Sequence, residues 1–189
     1  MSVGSHKPHD LSLLDAVDAL PREPFEQSLW RVTREGRDPL QGAPSVSRWC
    51  NAGFDVLYTS FERDGALAEI YALLSAQPVF PSKIRFLVHR VAIQASGVLR
   101  LANLPAIAKL GVDTSRYGER IYHRTQEIAD AAYFLGFDGL IAPSARWKCS
   151  VLAAFTQRIS PGEIRLELSE ANPIDWAHWR RTHVGRGRT

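Results

Sequence analysis

Arg31 interrupts an otherwise apolar stretch, Leu29-Trp30-Arg31-Val32, that reads as a strand. A guanidinium carries five donors and needs a carboxylate or a bound anion when a sheet takes it out of water. An internal ion pair with one of the 20 acidic residues would meet that need as well as a ligand would. Arg48-Trp49 closes a long loop and sets a fork-shaped cation beside an aromatic ring. That pair suits a diphosphate with an adjacent planar group. A solvated loop arginine next to a core tryptophan is the competing account.

Tyr58-Thr59-Ser60 ends the next strand, and alternation puts Val56, Tyr58 and Ser60 on one face. Tyr58 and Ser60 can therefore line a cleft, although a half-buried tyrosine has the same pattern. Glu69 falls opposite Leu67, Ile70 and Tyr71 on a helical wheel, which favours a solvated carboxylate. Its neighbours three and four residues away are Gly65, Ala66, Ala72 and Leu73, none of them a cation. Small neighbours would let a ligand or a strand approach that face. Ser144 follows the apolar run Leu140-Ile141-Ala142-Pro143, at a cleft edge or in a simple turn.

These residues need elements to hold them. Asp10 is placed to cap a helix running to Leu20, which Pro21 and Pro24 would end. Strands are predicted over Ser28–Val32 and Asp55–Ser60, separated by an irregular stretch from Thr33 to Gly53. A helix over Asp64–Ala76 carries a core stripe of Leu67, Ile70, Tyr71 and Leu74. Ile84–Ala95 reads as a strand paired with Gly97–Leu101, and Asn103–Leu110 as a short helix. Thr125–Leu135 is a second clear helix, with Gly136 where a left-handed cap is wanted. Gly139–Ala142, Leu152–Arg158 and Ile164–Leu168 complete the strands. Strands dispersed among a few helices make this a single α+β domain.

The chain has 189 residues, 45% hydrophobic and 23% charged, which excludes a disordered or low-complexity protein and supports a sizeable core. Its net charge of +3 lies in the tail, where Arg180, Arg181, Arg186 and Arg188 occupy an acid-free stretch. Without those four, 19 of the 23 Lys and Arg remain against all 20 Asp and Glu, a net of −1. The two cysteines, Cys50 and Cys149, form no C-x-x-C pair and fit inert thiols in a reducing cytosol. Leu11–Leu20 is broken by Asp15 and Asp18, and no apolar run approaches a membrane span, so the expected location is cytoplasmic. A phosphate loop, a dinucleotide glycine fingerprint, a nucleophile elbow and paired metal-ligand histidines are missing from the sequence. An NTPase, a serine hydrolase and a metalloenzyme are therefore set aside, and no metal is expected.

Taken together and in order, Trp30-Arg31, Arg48-Trp49, Val56-Leu57-Tyr58-Thr59-Ser60, Ala66-Leu67-Ala68-Glu69 and Gly139-Leu140-Ile141-Ala142-Pro143-Ser144 resemble the RES domain. The resemblance runs from about Leu29 to Leu168 and is most specific from Tyr58 to Glu69. It implies a fold related to ADP-ribosyltransferase toxins, a mixed or split sheet flanked by helices, with NAD bound as substrate in a cleft. RES domains supply the toxins of RES–Xre toxin–antitoxin operons, so an Xre-type antitoxin is the implied partner, with nucleic acid met only through it. Members break the nicotinamide–ribose bond. Some pass ADP-ribose to phosphate or water and deplete NAD; ParT-like members attach it to a protein, phosphoribosyl pyrophosphate synthetase.

By this resemblance Arg31 and Arg48 would clamp the diphosphate. Glu69 would stabilise an oxocarbenium-like state, as in glycoside cleavage, and could also orient the ribose or activate an acceptor. Tyr58, catalytic together with Glu69 by this resemblance, would stack on or hydrogen-bond to the nicotinamide riboside, and Ser60 and Ser144 would hold a ribose hydroxyl or an amide. Many members carry Gly-Gly-Arg-Trp-Asn where this chain has Val46-Ser47-Arg48-Trp49-Cys50. That departure turns the expectation toward a protein acceptor, hence toward mono-ADP-ribosylation, with an NAD glycohydrolase or phosphorylase as alternative. A third reading is a binding module that uses the arginine-rich tail, whose binding would depend steeply on salt. The implied boundaries are an N-terminal extension over 1–27, the RES domain over 28–170 and a C-terminal segment over 171–189.

Overall fold

The Asp10 carboxylate accepts from the Ser12 and Leu13 amides at 3.0 and 3.3 Å and starts helix α1 (Leu11–Asp18). The structure, a computed structural model, describes residues 8–183. The helix buries Leu13 and Val17. Strand β1 (Arg22–Arg34) follows, then a small hairpin of β2 (Val46–Ser47) and β3 (Cys50–Asn51), and then β4 (Val56–Ser60). Helix α2 (Arg63–Ser75) leads into β5 (Phe86–Arg100), α3 (Leu104–Ala108), a 3₁₀ turn at Thr114–Arg116 and α4 (His123–Phe134). The chain continues through β6 (Gly139–Pro143), β7 (Ser150–Phe155), β8 (Ile164–Ser169) and α5 (Trp176–His183). The α+β class expected from the sequence is the class found.

Six strands form one sheet in the order β1-β4-β7-β6-β5-β8, and β1 also pairs with β5. The first five therefore close into a ring, with β8 added beyond β5. Among the described strands β5 and β6 run parallel and the other pairs antiparallel, so the sheet is mixed. The ring encloses a core that includes Phe25, Leu29, Leu57, Val91, Ile93 and Leu152. A second core, with Trp49, Phe54, Ile128 and Phe137, lies under α1, α3 and α4. A third joins α2 and α5 through Leu67, Leu74, Trp176 and Trp179.

Several elements differ from the sequence expectation. Strand β1 starts at Arg22, inside the segment assigned to an N-terminal extension, and pairs with β5 from there to Arg34. Pro24 was expected only to end the preceding helix; it sits in β1 where the register shifts between Glu23 and Phe25, a position that needs no amide donor. Ile84–Ala95 and Gly97–Leu101 do not fold back on each other but form the continuous strand β5. Asp138 explains this, because its Oδ2 accepts from the amides of both Ser96 and Gly97 at 2.8 Å and satisfies a would-be turn in extended form. The last strand before β8 stops at Phe155, short of Arg158. Helix α5 was not anticipated, since only Trp176 and Trp179 mark its buried side. Gly136 behaves as expected: at φ 82° it ends α4, with the Phe137 amide bonded back to Ala132 at 3.0 Å.

Candidate active site

The ring of strands leaves a cavity of about 400 Å³ between β1, β4, the β2–β3 hairpin, α2 and the β6–β7 loop. Among the described residues its wall carries five arginines, Arg31, Arg37, Arg48, Arg120 and Arg146, and a single carboxylate, Glu69. None of the five forms an ion pair with a carboxylate among the described residues. Elsewhere arginines such as Arg63, Arg100 and Arg116 are so paired. The internal ion pair considered for Arg31 is therefore not what holds it.

Arg31 donates instead to the carbonyls of Tyr58 and Gln41, at 3.0 and 3.1 Å, and its buried Nε has no partner. Burial first, and then the like charge of Arg37, bring its pKa down to about 10, with Asp38 opposing. A cation held at such a desolvation cost is ready to take an anion. Arg48 occupies the two-residue turn between β2 and β3, because Ser47 pairs with Cys50. Its guanidinium lies over Tyr117 and Tyr122, 4.4 and 5.0 Å from the ring centroids, and donates to the Glu119 carbonyl at 3.2 Å. The aromatic partners of Arg48 are thus these two tyrosines, while Trp49 is 1% exposed and belongs to the core.

Tyr58 holds that hairpin in place. Its hydroxyl accepts from the Trp49 amide at 3.0 Å and lies 2.7 Å from Ser47 Oγ, while burial pushes its pKa upward. Gln126 of α4 secures the other side by donating to the Ser47 and Cys50 carbonyls at 2.8 and 3.1 Å. The Tyr58 ring itself lines the cavity.

Glu69 is half-buried and faces the cavity, not bulk solvent. Its Oε1 accepts the Ser144 hydroxyl at 2.6 Å, and Ser144 Oγ in turn accepts from the amides of Arg146 and Trp147 at 3.0 and 3.1 Å. Of the neighbours noted beside Glu69, Gly65 and Ala66 are buried, as is Ala68, where α2 packs down. A side chain at Gly65 would strike Ser60 Oγ and Cys149 Sγ. Ser60 lines the cavity but is 1% exposed, 3.3 Å from the Cys149 thiol, which burial pushes up in pKa. Ser144 reaches the cavity only through Glu69.

Comparison with known proteins gives these positions a context. The RES domain family model matches residues 28–177. The chain belongs to the RES domain family. It is 32% identical over 156 residues to the probable NAD(+) phosphorylase Rv3189 of Mycobacterium tuberculosis, covering 79% of this chain and 74% of that one. It is 24% identical over 168 residues to the NAD(+) phosphorylase MbcT of Mycobacterium bovis, covering 85% and 90%. The crystal structure of the M. tuberculosis MbcT-MbcA toxin-antitoxin complex contains a chain of the same fold. That chain aligns with a TM-score of 0.77 at 22% identity, over 91% of this chain and 97% of the other.

In this RES domain five of the six expected positions, Arg31, Arg48, Tyr58, Ser60 and Glu69, line one cavity, and Ser144 stands directly behind Glu69. Sequence reasoning missed Arg37, Arg120 and Arg146. Arg37 and Arg146 adjoin positions already singled out, in the loop after Arg31 and two residues beyond Ser144, but an arginine in a loop carries no periodic signal. Arg120 gave none at all, since it reaches α2 from a distant irregular segment and donates to the Ala72 carbonyl at 3.0 Å. Among the described residues no group of three acidic, histidine or cysteine side chains could hold a metal ion, and no helix is long and apolar enough to cross a membrane. Arg180 and Arg181 are exposed on α5, whereas Arg186 and Arg188 lie outside the described residues.

Proposed function

We propose that this RES domain is the toxin of a toxin–antitoxin pair and consumes NAD by phosphorolysis, transferring ADP-ribose from nicotinamide to inorganic phosphate. The observation that carries this reading is the cavity wall, where among the described residues five arginines without carboxylate partners surround one carboxylate. NAD presents a diphosphate with two negative charges, and a second anion must be held with it if phosphate is the acceptor. The names of the similar mycobacterial proteins support the same chemistry.

In the step proposed, the bond between the nicotinamide nitrogen and the ribose carbon breaks, and its electron pair neutralises the pyridinium. A deprotonated oxygen of hydrogenphosphate forms the new bond to that carbon. Arg31 and Arg48 hold the diphosphate, and the Tyr58 ring packs against the nicotinamide riboside. The Glu69 carboxylate, oriented by Ser144, stabilises the positive charge that develops on the sugar. The Glu69→Gln variant should lose on the order of 10² to 10³ in kcat while still binding NAD.

The departure Val46-Ser47 from the Gly-Gly pattern has a structural use that leaves the acceptor open. Val46 points outward at 78% exposure, and Ser47 holds the Tyr58 hydroxyl. It therefore no longer favours a protein acceptor over phosphate. Exposed Val46, Leu73 and Ile121 stand at or beside lining positions, an apolar rim that suits a protein partner such as an antitoxin.

The test is nicotinamide release from NAD with and without phosphate, with the products separated. Phosphate-dependent formation of ADP-ribose 1-phosphate supports the proposal. Transfer of label from NAD to a protein in lysate, with no phosphate dependence, would establish ADP-ribosylation instead.

A further inference from the structure

We propose that Arg146, assisted by Arg120, forms the subsite for the acceptor phosphate, separate from the Arg31 and Arg48 clamp on the dinucleotide. This rests on the phosphorolytic reading above. The five lining arginines are not equivalent. Arg31 is fixed by the Tyr58 and Gln41 carbonyls, and Arg48 by two tyrosine rings and the Glu119 carbonyl. Arg31 sits on β1, and Arg48 extends from the hairpin onto the segment from Tyr117 to Tyr122. Arg146 is half-buried, yet its guanidinium makes no hydrogen bond or ion pair with any described residue. All five of its donors remain available to an anion.

Its position ties it to the reacting centre. The Arg146 amide donates to the same Ser144 hydroxyl oxygen whose proton goes to Glu69, so the backbone of Arg146 and the carboxylate share one bridging atom. Arg120 lines the same cavity and is anchored on the Ala72 carbonyl, about one helical turn beyond Glu69 along α2. An anion between these two guanidiniums would lie beside the carboxylate that faces the ribose. A phosphate oxygen there can form its bond to the sugar carbon as the nicotinamide leaves. Glu69 alone would repel a dianion, and the two cations offset that repulsion.

The same donors would also recognise a phosphate belonging to the substrate, so the experiment separates the two sources. Nicotinamide release is measured while NAD, NADP and inorganic phosphate are varied independently, with wild type, R146Q, R146K and R37Q compared. R146Q is expected to raise KM for phosphate about tenfold or more with KM for NAD within about threefold. Its products should shift from ADP-ribose 1-phosphate toward free ADP-ribose. R146K should recover part of the phosphate affinity, and R37Q, altered beside Arg31, should raise KM for NAD instead. The proposal is overturned if R146Q leaves KM for phosphate unchanged, if both KM values rise together, or if the defect appears only with NADP. Were wild type itself indifferent to phosphate, the phosphorolytic reading would fall first, which is a distinguishable result.

Discussion

The Ser144 hydroxyl gives its only proton to Glu69 across 2.6 Å while its oxygen takes two backbone amides, from Arg146 and Trp147. A serine so saturated cannot act as a nucleophile or contact a substrate hydroxyl without first releasing the carboxylate. In the proposed reaction it therefore serves as a positioning residue for Glu69. Replacing Ser144 with Ala frees Glu69 to rotate and leaves the two amides without their acceptor. We expect kcat to fall about tenfold with KM for NAD within about twofold, and the Ser144→Thr variant to recover much of the loss. Steady-state kinetics of the two variants check this, and a change confined to KM would show that Ser144 acts on binding.

Tyr58 and the Arg48 hairpin form the corresponding pair on the other wall. The Tyr58→Phe change keeps the ring but removes the hydroxyl that accepts the Trp49 amide and meets Ser47. An amide left unpartnered there costs about 1–3 kcal/mol of stability. The loosened turn should carry Arg48 off its tyrosine rings, so KM for NAD is expected to rise severalfold while kcat holds. Urea unfolding and kinetics together test both halves of the expectation.

How legible these walls are in the sequence depends on the range of the interactions that build them. The strand carrying Tyr58, the helix carrying Glu69 and the Gly136 cap are local patterns, and each lies where periodicity or turn chemistry puts it. Glu69 itself was harder, because a wheel places it opposite the core stripe and cannot reveal that Ser144 comes to meet it from 75 residues away. The sequence pattern divides β5 between Ala95 and Gly97, and only the distant Asp138 carboxylate, which accepts from the Ser96 and Gly97 amides, makes the continuous extended form favourable. Arg120 and Arg146 become visible as cavity-lining residues only once α2, the segment before α4 and the β6–β7 loop are brought together. The charge excess at the C-terminus, by contrast, is easy to read, and its two described members, Arg180 and Arg181, are exposed and do not line the cavity.

His89 offers a pH test of the packing behind Arg31. It is 4% exposed, with its ring nitrogens 2.9 Å from Thr33 Oγ1 and 2.8 Å from Ser169 Oγ. Burial and the nearby Arg31 charge hold its pKa below 6.5, and Glu170 opposes them. Below pH 6.5 the unfolded chain therefore takes up a proton that the folded chain resists. Stability is expected to fall as pH drops from 7.5 through 6.5 toward the depressed folded value. In the His89→Gln variant that segment of the pH profile should flatten, even if overall stability is lower. Urea midpoints at pH 7.5, 6.5 and 5.5 measure it, and an unchanged slope in the variant would assign the acid sensitivity to other groups.

The C-terminal arginines were read as a tail, yet Arg180 and Arg181 belong to α5, and that helix reaches the loop carrying Ser144 and Arg146. Trp147 stands 6.4 Å from Trp179 and 5.9 Å from His183, ring centroid to centroid, and His183 stacks on Trp179 at 5.0 Å. The Trp147 indole also donates to Glu62 at 3.0 Å, so the loop is gripped between α5 and the start of α2. Removing residues 184–189 deletes Arg186 and Arg188 and leaves this contact intact, so NAD consumption should be unchanged. Removing residues 176–189 strips Trp176 and Trp179 from the α2 core and frees Trp147. That truncation should lower thermal stability and kcat together. A Trp147→Leu variant separates the two effects: Trp176 and Trp179 still fill the α2 core, but the loop loses its ring against α5, so kcat should fall more than stability does. Were the shorter deletion to abolish activity instead, the residues beyond His183 would have a direct part in the site.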